Sequence, residues 1–496
     1  MIELLTNAKI LRIRIHTAMA SCAIVLGLAI HSAASAQPLQ VEGLPPELKG
    51  GVSLHTYSDV SEAANNLVHF LENQGYVLAS VSVAGETLRV DLGQIEAVSV
   101  LGLDERTGSL ARAYLNQLVG PTPHIEQIDH VTGLINDIPG LTASLQLNRL
   151  GNGTGYEAVL VGSRVSQSGS ISFHNTPTED LSGKEVVLHQ ELYSLVAGGD
   201  ILQLELAGAQ AKTNTRSYFG QVSYQVPVNS IGSFAETRAS HFDSASDFNF
   251  RNQNTLASKS TAGAVLFGHR FKRTVNEAKT GFIEMDYRVD KDNLSEDRRN
   301  AILRTSWFYK LDTDQGDTVS YGLTFSGGHE FSGAENNFGS LRAGVGLIYG
   351  LPSVSDNAEF LLELSGQLGS KNQPSFELFS FGGQDKQRGF APFEYAGSSG
   401  TNLTLEIAET IHANALNLIG IAPFAFLDVT YLNNSNSELS VGRPDNTELA
   451  STGIGIRATF ESGFSINSWL ALPVHDGTRS DRDHTPEFYM QAQYAW

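Results

Sequence analysis

The sequence predicts a chain in two parts: small α+β modules, followed by a transmembrane antiparallel β-barrel of about 16 strands. Helical and strand periods are mixed up to about residue 164, but the helical period disappears from about residue 166. From there onward, segments of alternating apolar and polar residues recur at the spacing that membrane strands require. The chain also ends on an alternating segment, residues 487–496, whose last residue is aromatic.

Residues 1–36 have the features of a secretory signal peptide. A basic leader (residues 9–14) and the apolar run 18–30 precede a small-residue cleavage site at 34–36. The run is shorter than the about 20 apolar residues that a transmembrane helix needs, so a retained anchor is the less favoured alternative. Since Cys22 is the one cysteine, the mature chain is expected to be exported and to fold without disulfides.

The composition argues against nucleic acid as a partner. The formal net charge is −20, and removal of three basic and one acidic residue with the signal gives −20 − 3 + 1 = −22. Binding of phosphates requires a basic face, which this balance does not favour. The charged fraction is low, with 48 glycines, 25 phenylalanines and 15 tyrosines. An acidic soluble exported protein and a membrane β-barrel both fit these values.

Residues 95–164 show the β-α-α-β-β order of a POTRA module, a small periplasmic domain. The order comprises a strand at 95–102, helices at 109–120 and 125–137, and strands at 141–147 and 156–162.

Residues 37–94 predict a related but truncated or degenerate module. A helix at 61–76 places Leu67 and Leu71 on one face, and strands follow at 76–83 and 87–92. We expect the opening strand and helix of this module to be missing or degenerate.

Residues 165–496 predict the barrel. In 301–311, Leu303 and Trp307 lie on one face of a strand, whereas Arg304 and Ser306 lie on the other. A soluble sandwich would also alternate, but its turns would be uniformly short. An apolar exterior and a polar interior require a sheet that closes on itself, because lipid leaves no backbone group unpaired. The same alternation recurs in 218–228 and 280–289.

The final strand predicts an assembly signal. Its apolar face carries Phe488, Met490, Tyr494 and Trp496. A last strand that ends in an aromatic residue is typical of barrels recognised by the bacterial outer-membrane assembly machinery. We therefore expect that machinery and outer-membrane lipid among the partners.

With these segments in place, the chain resembles the two-partner secretion transporters, or haemolysin secretion/activation proteins, within the superfamily of POTRA-bearing barrels. The resemblance covers almost everything after residue 60. It is carried, in the order of the family, by "LINDIPGL" (134–141), "FHNTPTEDLSG" (173–183), "SYQVPV" (223–228), "ELFSFGGQDKQRGF" (377–390), "PFAFLDV" (423–429), "TGIGIRATF" (452–460) and the closing strand.

The resemblance implies that residues 371–400 form a loop that folds back into the barrel. Its motif comprises Gly382, Gly383, Arg388, Gly389 and Phe390. Gly389 permits a backbone turn that a Cβ would obstruct, and Phe390 is expected to pack against the wall.

Arg388 is predicted to anchor this loop. A planar guanidinium suits bidentate contact with a carboxylate. Asp428, on the lumen phase of its strand, is the first-choice partner and Glu406 is the second. We interpret the pair as a conformational latch, because burial of two charges offsets much of their attraction. A merely solvated arginine is the alternative.

Two features depart from the family. Gln387 stands where an aliphatic residue is usual. The segment between the cleavage site and the helix at 61 leaves no room for the family's plug helix and linker. Gating by the family's usual route is therefore in doubt.

The resemblance implies an outer-membrane translocator that secretes one large exoprotein, captured unfolded by POTRA modules in the periplasm. An outer-membrane assembly factor and a passive porin are the alternatives. No G-x-x-x-x-G-K-[ST], H-E-x-x-H or G-x-S-x-G motif occurs, and the histidines lack metal-ligand spacing. We expect no enzyme activity, cofactor, metal or nucleic acid, and the sequence does not identify the client.

Overall fold

The computed structural model divides the chain into two compact units, one that ends at Arg164 and includes Arg273–Val275, and one that comprises Val165–Lys272 and Asn276–Trp496. The predicted signal segment lies outside the described residues, as does the turn of the predicted hairpin 173–183. The structure describes residues 39–51, 59–120, 122–151, 153–176, 183–211, 216–246, 256–292, 297–332, 336–371, 373–383, 386–390, 395–412, 417–433, 446–475 and 485–496.

The first unit begins with a small module in which β1 is very short. Its sheet has the order β1-β3-β2 with β1 parallel to β3. The opening strand is thus present over three residues, and a 3₁₀ turn precedes the helix. The elements are β1 (Gln40–Glu42), a 3₁₀ helix (Pro46–Gly51), α1 (Val60–Asn73), β2 (Ser80–Ala84) and β3 (Thr87–Asp91).

Helix α1 has well-defined ends. The Asp59 carboxylate accepts a hydrogen bond from the backbone N–H of Ser61, which satisfies one of the free donors at the helix start. Gly75 follows the last turn at φ +88°, a conformation that favours glycine. Leu67 and Leu71 bury the inner face of the helix against the sheet.

The second module has the predicted β-α-α-β-β order. β4 lies parallel to β6, and β5 pairs with β6 antiparallel. The two helices cover this sheet with a core that includes Leu115, Ile135 and Leu160. The elements are β4 (Gln94–Leu101), α2 (Glu105–Leu115), a 3₁₀ helix (Asn116–Leu118), α3 (Ile125–Asn136), β5 (Leu141–Arg149) and β6 (Gly155–Arg164).

Helix α2 begins earlier than the apolar period predicts because Asp104 caps it. The carboxylate accepts hydrogen bonds from the backbone N–H groups of Arg106 and Thr107 and pairs with Arg164 at 3.0 Å. Burial alone would raise the pKa of Asp104, but the Thr107 hydrogen bond and the Arg164 charge outweigh it and lower this pKa.

No helix in the described part of the chain is long and apolar enough to cross a bilayer.

The second unit is a closed antiparallel β-barrel, with 16 strands among the described residues. The predicted fold class is confirmed. The strands are β7 (Gln167–Thr176), β8 (Gly183–Tyr193), β9 (Ile201–Ala211), β10 (Arg216–Pro227), β11 (Ser233–Ser246), β12 (Leu256–Arg273), β13 (Glu277–Asp292), β14 (Arg298–Asp312), β15 (Thr318–Glu330), β16 (Asn337–Gly350), β17 (Ala358–Gly369), β20 (Ser399–Glu409) with its continuation β21 (Ile411–His412), β22 (Leu418–Asn433), β23 (Asn446–Phe460), β24 (Phe464–His475) and β25 (Glu487–Ala495).

The barrel wall separates apolar and polar side chains as the alternation predicts. Leu303 is 53% exposed on the outer surface, whereas the side chain of its neighbour Arg304 is 16% exposed and forms ion pairs inside. On the neighbouring strand, Met285 is exposed and Glu284 is buried. Large exposed apolar residues on the outer face are what contact with lipid requires.

The barrel closes where β25 pairs with β7. This register covers the residues from Gln491 to Ala495. Beyond it, the Asn175 side chain donates to the Phe488 carbonyl and accepts from the Met490 N–H, so a side chain replaces backbone pairing there. The backbone of Trp496 exchanges hydrogen bonds with Gly169. The last residue of the chain thus completes the barrel closure.

Candidate functional site

Between β17 and β20 the chain leaves the wall and forms a loop whose described residues are largely buried. We call residues 370–398 the in-folded loop. It holds a 3₁₀ turn (Ser375–Glu377) and two short antiparallel strands, β18 (Phe379–Phe381) and β19 (Tyr395–Gly397).

The turn that presents Arg388 depends on glycines. Gly382, Gly383 and Gly389 have φ angles of +107°, +102° and +91°, where a side chain would introduce strain. The Gly383 N–H donates to the Phe390 carbonyl at 2.8 Å and closes the loop tip. The glycines of the motif therefore set the backbone that carries Arg388.

Arg388 is buried against two carboxylates of the wall. Its Nε and Nη2 donate to the two oxygens of Asp428 at 2.9 and 3.0 Å, and its Nη1 donates to Glu406 Oε2 at 2.9 Å. The backbone N–H of Arg388 donates to the same Asp428 at 3.0 Å. Asp428 is fully buried, so the loop tip satisfies a carboxylate that would otherwise be costly to desolvate.

The charges around Arg388 balance locally. Arg457 pairs with the second oxygen of Glu406 at 2.7 Å, which gives two guanidinium groups and two carboxylates within the described cluster. The Arg388 guanidinium carbon lies 3.5 Å from the ring centroid of Phe426. The cluster is satisfied only while the loop is docked, because removal of Arg388 leaves Asp428 without its cation.

Gln387, the departure from the family pattern, occupies a polar pocket of its own. It is fully buried at φ +55°, and its amide donates to Ser451 Oγ at 3.2 Å. Its carbonyl oxygen accepts from Thr430 Oγ1 at 2.6 Å, and Thr430 in turn accepts from the Asn402 amide. The wall is thus complementary to a glutamine at this position.

The last strand also contacts the loop tip. The Gly389 N–H donates to the Tyr489 hydroxyl at 3.2 Å, and that hydroxyl donates to the Phe390 carbonyl at 3.3 Å. A Cβ on Gly389 would lie 3.4 Å from both Ala471 and Pro473. This is ordinary van der Waals contact, so the positive φ of Gly389 is the reason for glycine at this position.

Phe390 is fully buried in an aromatic cluster. Its ring meets Tyr395 edge-on, with ring centroids 5.9 Å apart. The cluster joins loop residues to the wall residues Leu432 and Leu449. Apolar packing and the ion pairs therefore fasten the same tip.

The predicted assembly-signal residues lie on the outer surface of β25. Phe488, Tyr494 and Trp496 are exposed, and Met490 is half-buried. Tyr489 lies between these residues in the sequence but on the inner face of β25, where it is buried. Its inward phase was visible in the sequence, but its contact with Gly389 was not.

The chain matches proteins of known family and fold. A family model described as haemolysin secretion/activation protein ShlB/FhaC/HecB matches residues 162–458, more than half of the chain. No curated protein sequence matches this chain.

Solved structures support the same fold. CdiB from Escherichia coli superimposes with a TM-score of 0.75 at 14% identity, over 95% of this chain and 93% of that one. CdiB from Acinetobacter baumannii gives 0.70 at 13% identity, over 88% and 82%. BamA from Haemophilus ducreyi lacking POTRA domains 1–3 gives 0.54 at 14% identity, over 90% and 95%.

Proposed function

The chain belongs to the haemolysin secretion/activation protein family of outer-membrane β-barrel transporters, and from this premise we propose that it secretes one large partner exoprotein. The client is captured unfolded in the periplasm and passes through the barrel lumen. Nucleotide hydrolysis does not contribute, and no catalytic step is involved. Binding on one side and folding on the other provide the driving force.

The observation that carries the proposal is the docked tip of the in-folded loop. Arg388 fastens it to Asp428 and Glu406 through directional hydrogen bonds between charged groups. An in-folded segment of this size occupies space that an extended client needs. We infer that the tip is a latch that releases when a client arrives and docks again afterwards.

The modules formed by residues 39–164 are proposed to receive the client. Each has a small sheet with strands at its edges, β2 in the first and β5 in the second. An extended polypeptide can add to such an edge through backbone hydrogen bonds, a recognition mode that suits an unfolded client. Periplasmic placement of the modules is consistent with the outer-membrane location of the barrel.

Co-expression of the chain with a large exoprotein encoded by an adjacent gene tests the proposal. The exoprotein should appear in the culture medium with the intact chain and stay in the cell without it. If the exoprotein reaches the medium equally well in both strains, the proposal is wrong.

Two other outcomes would point to other functions. General loss of outer-membrane barrels after deletion of the gene would indicate an assembly factor. Conductance with small-solute selectivity that is unaffected by removal of residues 39–164 would indicate a passive porin, provided that no client is exported.

A further inference from the structure

The stem of the in-folded loop is fastened to a different part of the wall from its tip. Glu377 lies in the 3₁₀ turn of the stem and is 1% exposed. One carboxylate oxygen pairs with Arg304 of β14, and the other pairs with Arg342 of β16 at 3.0 Å. The tip residue Arg388 instead meets β20 and β22. The two fastenings therefore share no strand.

Gln367 of β17 holds both legs of the loop at the stem. Its amide donates to the Glu377 carbonyl at 2.8 Å and to the Ser398 carbonyl at 3.1 Å. Its carbonyl oxygen accepts from Arg342 Nε at 2.6 Å. Gln367 thus binds both legs of the loop and also positions Arg342, one of the two arginines that bind the Glu377 carboxylate.

The arginines of the stem site belong to a longer charge network on the wall. Arg304 also pairs with Glu284 at 2.8 Å and with Asp286 at 3.2 Å. Glu284 continues to Arg238 at 3.4 Å. Arg304 is therefore held by wall carboxylates as well as by the loop, which preorganises it for the Glu377 carboxylate.

The polarity of the two fastenings is reversed. At the stem, the loop supplies an anion and the wall supplies cations, whereas at the tip the loop supplies a cation and the wall supplies anions. An exchange of the two sites would bring like charges together, which is strongly unfavourable at buried positions. The loop can therefore dock in one orientation only.

We propose that Glu377 is a positioning residue for Arg388: it fixes the stem so that the tip meets Asp428 and Glu406 in register. The inference rests on the proposed function, in which the docked tip is the closed state. Release of the tip is then a movement about a fixed stem and not a loss of the whole loop from the lumen. The loop returns to the same place because the stem does not leave it.

The position of the loop can be measured without a client. A single cysteine at Ala396, a half-buried loop residue, reports it through labelling of whole cells with a membrane-impermeant maleimide. In this background, Glu377→Gln keeps the side-chain shape but removes the charge, and Glu359→Gln is the matched control at an exposed glutamate of β17. We expect E377Q and R388A to raise the labelling rate about tenfold or more, and E359Q to leave it unchanged.

Glu377→Asp, which keeps the charge, should restore slow labelling. Labelling of E377Q at the parental rate, while R388A is fast, would overturn the inference. It would also be overturned if E377Q lowered the heat resistance of the folded barrel, because the residue would then support the wall and not the loop. Failure of the unaltered chain to export a client would contradict the proposed function alone, since labelling does not depend on export.

Discussion

At the scale of single residues, the Arg388 cluster is better understood as a switch than as a source of stability. Burial of an ion pair returns little net free energy, but removal of one partner leaves the other charged and desolvated, at a cost of about 3–5 kcal/mol. Each 1.4 kcal/mol changes an equilibrium by about tenfold. Loss of Arg388 thus shifts the ratio of docked to released tip by about two to four powers of ten.

Arg388→Ala should abolish export of the client while the barrel remains inserted, because the proposed cycle requires the tip to dock again after each release. Arg388→Lys keeps the charge but cannot make the paired contact with Asp428, so it should show a weaker defect. Arg299→Ala removes an exposed arginine of β14 and serves as the control. The measurement is client in the medium relative to barrel in outer-membrane fractions. Secretion by R388A at the level of the unaltered chain would contradict the latch.

Gln387→Val should weaken docking of the tip. Valine is β-branched and strained at φ +55°, and it leaves Thr430 and Ser451 without their amide partner. Gln387→Gly relieves the strain but loses the same hydrogen bonds, so its docking should be weaker than that of the parent and stronger than that of the valine variant. Cysteine labelling at Ala396 ranks the three. Equal labelling of the valine variant and the parent would show that the polar pocket has no role in docking.

The sequence reveals some of these residues and conceals others for physical reasons. Asp428 and Glu406 could be chosen because strand phase, a local property, places them on the inner face. Gln387 was noticed only as a departure from the family, because its left-handed φ and its wall partners depend on the fold. The role of Glu377 could not be predicted because its partner Arg304 is far away in sequence. An inward arginine such as Arg304 is expected in any water-filled lumen, so it gave no reason to look for a loop partner.

At the scale of elements, the in-folded loop is attached at its stem and at its tip to two different groups of strands, which meet where β17 pairs with β20. Its tip contacts β20, β22, β23 and β25, whereas its stem contacts β14, β16 and β17. A segment attached at both ends can be locked covalently at one of them. Because the one cysteine, Cys22, lies in the predicted signal, no native cysteine is expected to compete with an engineered disulfide.

The pair Gly389→Cys and Ala471→Cys should form such a lock. A Cβ built on Gly389 lies 3.4 Å from the Ala471 Cβ, close to the about 3.5–4.5 Å of disulfides. Oxidised protein should not export the client, and a reductant should restore export. The single variant Gly389→Cys controls for strain at the positive φ of Gly389, and the single variant Ala471→Cys controls for the change in the wall. Export by the fully oxidised double variant would show that the client passes while the tip is docked.

The elements themselves were predictable to different degrees. The barrel strands follow from alternation and length, because lipid outside and water inside impose a period of two on every strand. The start of α2 was predicted four residues late, since the cap at Asp104 lies ahead of the first apolar residues. β1 could not be foreseen, because three residues carry no period and its parallel pairing with β3 is non-local.

At the scale of the whole molecule, we propose that the two units separate recognition of the client from its passage. The barrel unit contains the in-folded loop with both of its fastenings, and the first unit has its own hydrophobic cores. Each unit therefore has what it needs to fold by itself. If recognition belongs to the first unit, its loss should remove export without removing the closed state of the barrel.

Deletion of residues 39–164, with the predicted signal retained, tests this division. The barrel should still reach the outer membrane, because the closing strand and its outward aromatic residues are intact. Labelling at Ala396 should stay slow, since Arg388 and Glu377 keep their partners in the barrel unit. Export should be lost, because no sheet edge remains to receive the unfolded client.

The two measurements make this prediction refutable in separate ways. Fast labelling of the truncated barrel would mean that the first unit helps to hold the tip, and the two-point attachment would then be insufficient. Continued export would mean that the client enters the barrel without capture. If recognition and passage belong to different units, the truncated barrel should lose export and should still be labelled slowly at Ala396. Without the unit that captures the client, nothing releases the tip and it should stay docked.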